Sequence, residues 1–380
     1  MRFLFAFFLL LLGSSTVAVS AQDKEEKQKA KIKFRSRALL DGAVPALPGE
    51  NAKAYFRVED LRLGANITYD KISATADVGF SGGEIAVKDI IFNYSFKNFV
   101  ISAGNAFEPF SLEMLMSSAD MMFNQSASSA MAFGDSRKLG ITGHFHNDNW
   151  YAATGVYTHN DINNFWNGGQ KNSIISTSRL VWRTRFGQYG LVHAGGAFSF
   201  RSADLSGDKN VTRTLSSAGV SAMLPTMLSA GITNAAEEFK WAVEFLLHSS
   251  RFMVQAEYYF DRFNRTQGGQ FFFSHGGYAQ AGFLIIGKGY VYDDVFGIPC
   301  RPSSDRALEL ALRVDYTDLN DNAAAVSGGE ETDLSLALNF YINRYFAVKI
   351  NGSYVWTGNN CNEYYKGDYF VAQARLQYVF

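Results

Sequence analysis

Apolar and polar residues alternate through the C-terminal twelve residues of the chain. Every second residue of this segment is apolar or aromatic: Phe370, Ala372, Ala374, Leu376, Tyr378 and Phe380. The residues between them include Gln373, Arg375 and Gln377. Successive side chains of a β-strand point to opposite faces, so this pattern predicts a strand with one apolar and one polar face. Both an edge strand of a soluble β-sandwich and a strand between lipid and water fit this pattern.

The same alternation recurs along the chain between clusters of Gly, Asn, Asp and Ser. It predicts sixteen strands, at 31–41, 53–67, 70–80, 85–95, 99–105, 139–147, 149–158, 176–187, 190–202, 237–248, 251–263, 275–287, 306–317, 332–342, 346–356 and 369–380. A closed bacterial barrel with both termini in the periplasm requires an even number of strands. The expected fold class is therefore all-β: a sixteen-stranded antiparallel transmembrane β-barrel with inward-folded loops.

The connections between these strands alternate in length. Tight turns at 96–98, 147–148, 187–189 and 343–345 alternate with longer loops such as 159–175, 203–236 and 317–331. Outer-membrane barrels have short periplasmic turns and long extracellular loops. Counting back from Phe380 places the short turns in the periplasm. The segment 288–305 is long although it falls on the periplasmic side.

Composition agrees with a barrel and excludes some classes of protein. The hydrophobic fraction is only 47%, although the chain has 33 Phe and 19 Tyr. This is too polar for a bundle of membrane helices, but half of each barrel strand faces water. The net charge of −1 argues against nucleic acid as a partner. The two cysteines, Cys300 and Cys361, fall at opposite predicted ends of the barrel, which disfavours a disulfide.

The N-terminus has the pattern of an export signal. Residues 1–21 combine Arg2, a short apolar core and a small-residue site ending at Ala21. An uncleaved anchor helix is the alternative. Residues 22–30 form a charged periplasmic leader, and 31–380 form the barrel. We therefore expect export to the outer membrane of a Gram-negative bacterium.

Four segments resemble the phosphate-selective porin family, the OprO/OprP-like outer-membrane porins. They are the Glu-Pro-Phe-Ser-Leu-Glu stretch within 106–118, and residues 307–320, 328–343 and 374–380. The resemblance implies a sixteen-stranded barrel, usually a homotrimer, that passes anions. It also implies an inward-folded constriction loop, here 106–138, and an inward-folded periplasmic turn, here 288–305. The family's early arginine pair is replaced here by Glu59 and Asp60, while Arg62 remains, which weakens the case for phosphate selectivity.

Strand parity places many cations on the lumen side. The pore-lining candidates for guiding anions are Lys31, Lys33, Arg35, Arg37, Arg62, Arg179, Arg183, Arg185, Arg201, Arg313, Lys349 and Arg375. Arginine suits phosphate, sulfate and carboxylate because its planar fork binds two oxygens at once. In the alternative interpretation these cations only pair with acidic residues of the same wall, such as Asp60, Asp77 and Asp89.

The segment 106–138 is rich in Met, Ser and Phe. Exposed on the outside, it would form a large apolar patch, whereas folding into the barrel would hide that patch and narrow the pore. A partner-binding external loop is the alternative. The constriction-loop candidates are Glu108, Arg137 and Lys138, and Lys288 and Arg301 lie in the inward turn.

Enzyme chemistry receives little support from the sequence. His144 and His146 share one face of a strand, but no third metal ligand accompanies them, and His193 stands alone. We predict no catalytic residue, metal or cofactor. The leading hypothesis is a porin for small hydrophilic solutes that prefers anions, with phosphate as a candidate. The alternatives are a general or cation-preferring barrel that acts with an envelope partner protein, and an outer-membrane barrel enzyme.

Overall fold

The computed structural model describes residues 29–167 and 172–380. The expected signal peptide, 1–21, and most of the leader, 22–30, lie outside the described residues. The described chain forms a closed barrel of sixteen antiparallel strands, which confirms the predicted fold. The barrel strands are β1 (Lys31–Ala46), β2 (Tyr55–Tyr69), β3 (Ile72–Gly79), β4 (Ala86–Ser95), β5 (Phe99–Ala106), β6 (Lys138–His146), β7 (Trp150–Thr158), β8 (Ile174–Phe186), β9 (Gly190–Arg201), β12 (Ala235–His248), β13 (Phe252–Arg265), β14 (Phe272–Ile286), β17 (Ala307–Asp321), β18 (Val326–Tyr341), β19 (Phe346–Thr357) and β20 (Tyr369–Val379).

Each barrel strand pairs with its neighbours in the order listed, and β1 closes the barrel against β20. Two small hairpins lie within connections that the sequence assigned to loop and turn. They are β10 (Arg213–Ser217) with β11 (Leu228–Ile232), and β15 (Val291–Asp293) with β16 (Ile298–Cys300).

The predicted loop 317–331 is wrong, because β17 and β18 extend to Asp321 and Val326 and leave only a short turn at 322–325. Its polar and glycine residues suggested a loop. Beyond the membrane, however, both faces of a paired hairpin can be polar, so the alternation fades while the pairing continues.

The two faces of the barrel wall differ as the alternation predicted. On β20, Leu376 is 58% exposed on the outer surface, whereas the adjacent Arg375 is 1% exposed on the inner surface. Outward side chains of the other strands are mostly Leu, Ile, Val, Phe, Tyr and Trp. The outer surface is therefore suited to lipid, and the inner surface is polar but filled.

Three short helices lie in the connections: α1 (Leu112–Leu115), α2 (Ser128–Phe133) and α3 (Ile162–Trp166). Two 3-10 turns occur at Ser81–Gly83 and Glu363–Tyr365. In the described ranges, no helix has the length and apolar character needed to cross a membrane.

Helix α3 fills a gap in the barrel wall. Strand β4 pairs with β5 only as far as Ile90 opposite Asn105, so residues 86–89 have no partner on that side. The side chain of Asn163 bonds both the N–H and the carbonyl of Val87, each at 2.9 Å. Asn105 accepts from the Ile162 N–H at 3.1 Å and donates to the Lys88 carbonyl at 2.6 Å. Asparagine side chains thus satisfy backbone groups that a strand would otherwise pair.

Candidate pore and its charged wall

The segment 106–138 leaves the wall after β5 and crosses the lumen to the far wall. There, the carboxylate of Glu257 on β13 accepts hydrogen bonds from the backbone N–H groups of Leu112 and Glu113 at 2.7 and 2.9 Å. Ser111 caps α1 and lies 2.9 Å from the Tyr259 hydroxyl. A buried carboxylate on the N–H groups of a helix start is a strong, charge-assisted contact.

The middle of this segment is held through its main-chain carbonyl oxygens. Wall cations on three strands donate to them: Lys349 to Met121, Arg313 to Gln125 at 3.0 Å, and Arg375 to Asn124 at 2.7 Å. Two wall amides also donate, from Asn339 to the Met122 carbonyl at 2.7 Å and from Gln377 to the Ala119 carbonyl at 3.0 Å. We call residues 118–125 the carbonyl strip.

The segment returns to the wall through an ion-pair cluster. Asp135 lies 2.7 Å from Arg201, 2.8 Å from Lys240 and 3.2 Å from Lys138. Burial alone would raise the pKa of Asp135, but these three cations hold that pKa well below its usual range. Glu108 accepts from Thr177 and from Ser199, the latter at 3.1 Å, and lies 3.6 Å from Lys138.

The turn 288–305 also contacts inward-facing wall residues. Arg179 donates to the carbonyls of Phe296 and Gly297 at 3.2 and 2.8 Å and pairs with Glu244 at 2.9 Å. The Tyr292 hydroxyl lies 2.9 Å from Nδ1 of His193. Cys300 lies in this turn and Cys361 in the connection before β20, and both thiols are free.

The loop 202–234 covers part of the mouth at the opposite end. Ser217 contacts Ser128 of α2 at 2.7 Å, and Gln373 on β20 donates to the Val220 carbonyl at 2.9 Å. Arg57 on β2 donates to the Ala222 carbonyl at 2.7 Å. This loop and the segment 106–138 therefore pack on each other and on the wall.

The structure separates the sequence-predicted cations into two groups. One group is buried and bonded within the protein, with side chains under inward-folded segments or in ion pairs: Lys138, Arg179, Arg183, Arg201, Arg313, Lys349 and Arg375. The other group keeps part of each side chain exposed: Lys31, Lys33, Arg35, Arg37, Arg62, Arg137 and Arg185. Glu108 belongs with the buried group.

Charged inward-facing residues of β1–β4, together with Arg137 just before β6, form what we call the open-wall cluster; its bases are partly exposed, whereas Asp60 and Asp77 are buried beneath them. It has five bases and three acids: Arg35, Arg37, Arg62, Lys88 and Arg137 with Asp60, Asp77 and Asp89. Arg62 lies 2.9 Å from Asp60 and 3.3 Å from Asp89, and Arg137 lies 2.7 Å from Asp89. Arg37 donates to Ser117 and Ser118 at 2.7 and 2.8 Å, which joins the cluster to the crossing segment.

The histidines are tied into the wall and turn. Nδ1 of His144 lies 3.1 Å from the Tyr151 hydroxyl, and Nε2 of His193 lies 2.9 Å from Glu244. Across residues 29–167 and 172–380, no three His, Cys, Asp or Glu side chains are arranged to hold a metal ion.

Sequence reasoning missed the carbonyl strip and the β10–β11 hairpin. The strip has no side-chain pattern that identifies it, because the wall binds its backbone. The available signal for the hairpin was the alternation on β11, where Leu228, Ala230 and Ile232 are apolar and Ser229 and Gly231 lie between them.

A closed sixteen-stranded barrel with an apolar exterior, a polar interior and a segment crossing its lumen defines an outer-membrane porin. The model of the family "Phosphate-selective porin O and P" matches residues 19–380, and the chain belongs to this family.

Solved structures support the fold. OmpT, an outer membrane protein of Vibrio cholerae in its trimer form, aligns with a TM-score of 0.57 at 11% identity, over 92% of this chain and 99% of that one. OprB of Pseudomonas putida at high pH aligns with a TM-score of 0.56 at 10% identity, over 92% and 94%. A Caulobacter vibrioides protein described as uncharacterized is 27% identical over 71% of this chain, and the match spans 55% of that relative's length.

Proposed function

We propose that this porin lets small hydrophilic solutes diffuse through the outer membrane and that it prefers anions. The observation that carries the proposal is the open-wall cluster, in which five bases face three acids where the wall is not covered. An excess of fixed positive charge lowers the energy of an anion in a narrow pore and raises that of a cation.

The position of this cluster supports the same proposal. Arg37 contacts the crossing segment at Ser117 and Ser118, so positive charge lies at the border of the narrowed space. The exposed Lys31 and Lys33 continue along β1 on the same face towards the terminus-bearing end. A permeating anion would pass from one cation to the next and avoid a single deep trap.

Phosphate is the anion that this site would hold most strongly. Guanidinium forks bind phosphate oxygens in pairs, and three arginines of the cluster lie on adjacent strands β1 and β2. The three carboxylates compete for these forks, so we propose weak phosphate binding that permits passage.

A general or cation-preferring pore is the second candidate. The pairing of Arg35 with Asp77, Arg62 with Asp60 and Arg137 with Asp89 favours it, because paired charges cancel at a distance. Such a barrel would fit a role beside an envelope partner protein. We propose no catalysed reaction, because the contacts of His144 and His193 serve the wall and the inward turn.

Planar-bilayer recording of the purified protein tests the proposal. Under a tenfold KCl gradient, we expect a zero-current potential of anion-selective sign, and a reduced chloride current when phosphate is added. A cation-selective potential would contradict the anion proposal and favour the second candidate. Anion selectivity without any effect of phosphate would contradict only the phosphate part.

We also propose a homotrimer, exported by the signal in residues 1–21. The trimer form of the similar Vibrio cholerae barrel supports this assembly.

A further inference from the structure

The segment 106–138 has two unlike faces inside the barrel. Its fully buried aromatic side chains, Phe110, Phe123 and Phe133, pack with wall residues in the lumen core. Its large apolar side chains that are only partly buried are Phe107, Met114, Leu115 and Met131. Because the segment crosses the lumen, the exposed parts of these side chains meet its open space. We call the first three of them the apolar face.

The apolar face lies opposite the open-wall cluster. At one end, the guanidinium carbon of Arg137 lies 4.4 Å from the centre of the Phe107 ring. At the other end, Arg37 donates to Ser117, which follows two residues after Leu115. The rest of the apolar face falls between these two contacts. The narrowed space is therefore basic on the side of strands β1–β4 and apolar on the side of the crossing segment.

Met114 ties the two ends of the apolar face together. A methyl group on Gly134 would be 2.5 Å from Cγ of Met114, so this side chain lies against the backbone where the segment turns back to the wall. Arg137 follows three residues after Gly134. The methionine and the guanidinium of Arg137 thus border the same part of the lumen.

An inorganic anion gains little from an apolar face. Such an ion is stabilised by polar and charged partners, and the open-wall cluster alone supplies these. Sites for organic molecules instead combine apolar side chains with a few polar groups that fix orientation. A permeant with one anionic group and one apolar part would contact both sides of the narrowed space at once.

The chemistry of the two sides favours an aromatic ring as that apolar part. A methionine thioether makes favourable contacts with aromatic rings, and so does another ring such as Phe107. The guanidinium of Arg137, already beside one ring, can stack on a second. Charge favours a single carboxylate, since Asp60, Asp77 and Asp89 repel a dianion more than a monoanion.

We propose that aromatic monocarboxylates are preferred permeants of this pore. The carboxylate binds arginines of the open-wall cluster while the ring lies against Phe107, Met114 and Leu115. This inference rests on the proposed anion pathway and names the class of permeant that the pathway suits. The cluster alone favours phosphate among inorganic anions, whereas the cluster and the apolar face together favour an anion with a ring.

Inhibition of the chloride current by potassium benzoate in planar bilayers tests the proposal, and potassium acetate supplies the carboxylate without the ring. In the wild type we expect benzoate to halve the current at about a tenth of the acetate concentration, because the ring buries apolar area that acetate lacks. Leu205→Ser, in the exposed part of the loop 202–234, should keep this difference. In the double variant Met114→Ser with Leu115→Ser, both anions should act at nearly the same concentration, with the zero-current potential in KCl unchanged.

Leu115→Ser alone covers the case in which the double variant does not assemble, and we expect a smaller change in the same direction. Equal effects of benzoate and acetate on an anion-selective wild-type pore would overturn this inference and leave the proposed function standing. A benzoate effect that persists in full in the folded variants would also overturn it, because the ring would then act elsewhere. A cation-selective wild-type pore would overturn both.

Discussion

At the scale of single residues, exposure decides what a lumen cation does. Arg62 is partly exposed among three carboxylates, whereas Arg375 is fully buried between Asp41 and the carbonyl of Asn124. Both residues have the same position in the alternation of their strands. The first can act on a solute, and the second acts on the protein.

Replacing Arg62 with Gln should reduce anion preference. The change removes one positive charge from the open-wall cluster and leaves Asp60 paired with Arg37 alone, so the net positive charge facing an anion falls. We expect a zero-current potential shifted in the cation-selective direction, with conductance retained. Arg262→Gln is the matched control, because Arg262 is exposed on the outer surface beside Phe271. Equal shifts in both variants would show that the cluster does not set selectivity.

Glu113 should make docking of the crossing segment depend on pH. Burial raises its pKa to about 8, against about 4.3 for an exposed glutamate. The docked segment therefore keeps a proton that a released segment would lose. Docking is strongest at low pH and weakens as pH rises through about 8.

Limited proteolysis of the segment 106–138 measures this effect. We expect faster cleavage at pH 9 than at pH 6 in the wild type. Glu113→Gln, which mimics the protonated side chain, should show a smaller difference. A variant that keeps the full pH dependence would assign it to another group.

At the scale of elements, the segment 106–138 depends on the wall for its position. Its helices α1 and α2 have four and six residues, too few to be stable alone. Glu257, the cations that bind the carbonyl strip and the cluster around Asp135 supply what the segment lacks.

Removing the carboxylate of Glu257 should release the start of the segment. Glu257→Ala leaves the N–H groups of Leu112 and Glu113 buried without an acceptor, which costs about 1–3 kcal/mol each. We expect higher and noisier single-channel conductance. Glu237→Ala, at a half-buried residue near the start of β12, serves as the control. Unaltered conductance in Glu257→Ala would mean that the segment does not limit flow.

Helix α3 should contribute to the stability of the barrel. Asn163→Ala removes both bonds to the backbone of Val87 and leaves those groups without their partner. We expect a loss of about 1–3 kcal/mol, seen as unfolding at lower temperature on unboiled gels. Asn164→Ala is the control, because the N–H of Asn164 and not its side chain bonds Asp161. Equal stability of the two variants would argue against a role for α3 in closing the wall.

At the scale of the whole molecule, the barrel itself could be predicted from the sequence, but the use of its lumen could not. Apolar and polar residues alternate in a strand that has lipid on one side. The alternation from Leu334 to Phe340 therefore predicted that part of β18 correctly. It fails where both faces meet water or protein, as at Asp318 to Glu330. Parity also placed Arg313 and Lys349 inside, yet it cannot distinguish a lumen filled with water from one filled with folded chain.

The proposed homotrimer makes a prediction for the assembled protein. Chemical cross-linking in detergent should give a ladder that ends at three protomers, and the unboiled protein should migrate as that species. A ladder that stops at one protomer would contradict the proposal.

The carbonyl strip has a consequence for how this protein can change over generations. Because Arg313, Lys349 and Arg375 bind backbone oxygens, these hydrogen bonds do not depend on the side chains of 118–125, although Met122 and Phe123 of this strip are buried in the core. Point substitutions at the partly exposed Asp120 and Gln125 can therefore alter the lining of the passage while these backbone contacts remain. A one-residue insertion would instead move every following carbonyl out of step with its donor. The strip is thus fixed in length and open to substitution where its side chains are exposed, and libraries that seek new permeants should vary those positions.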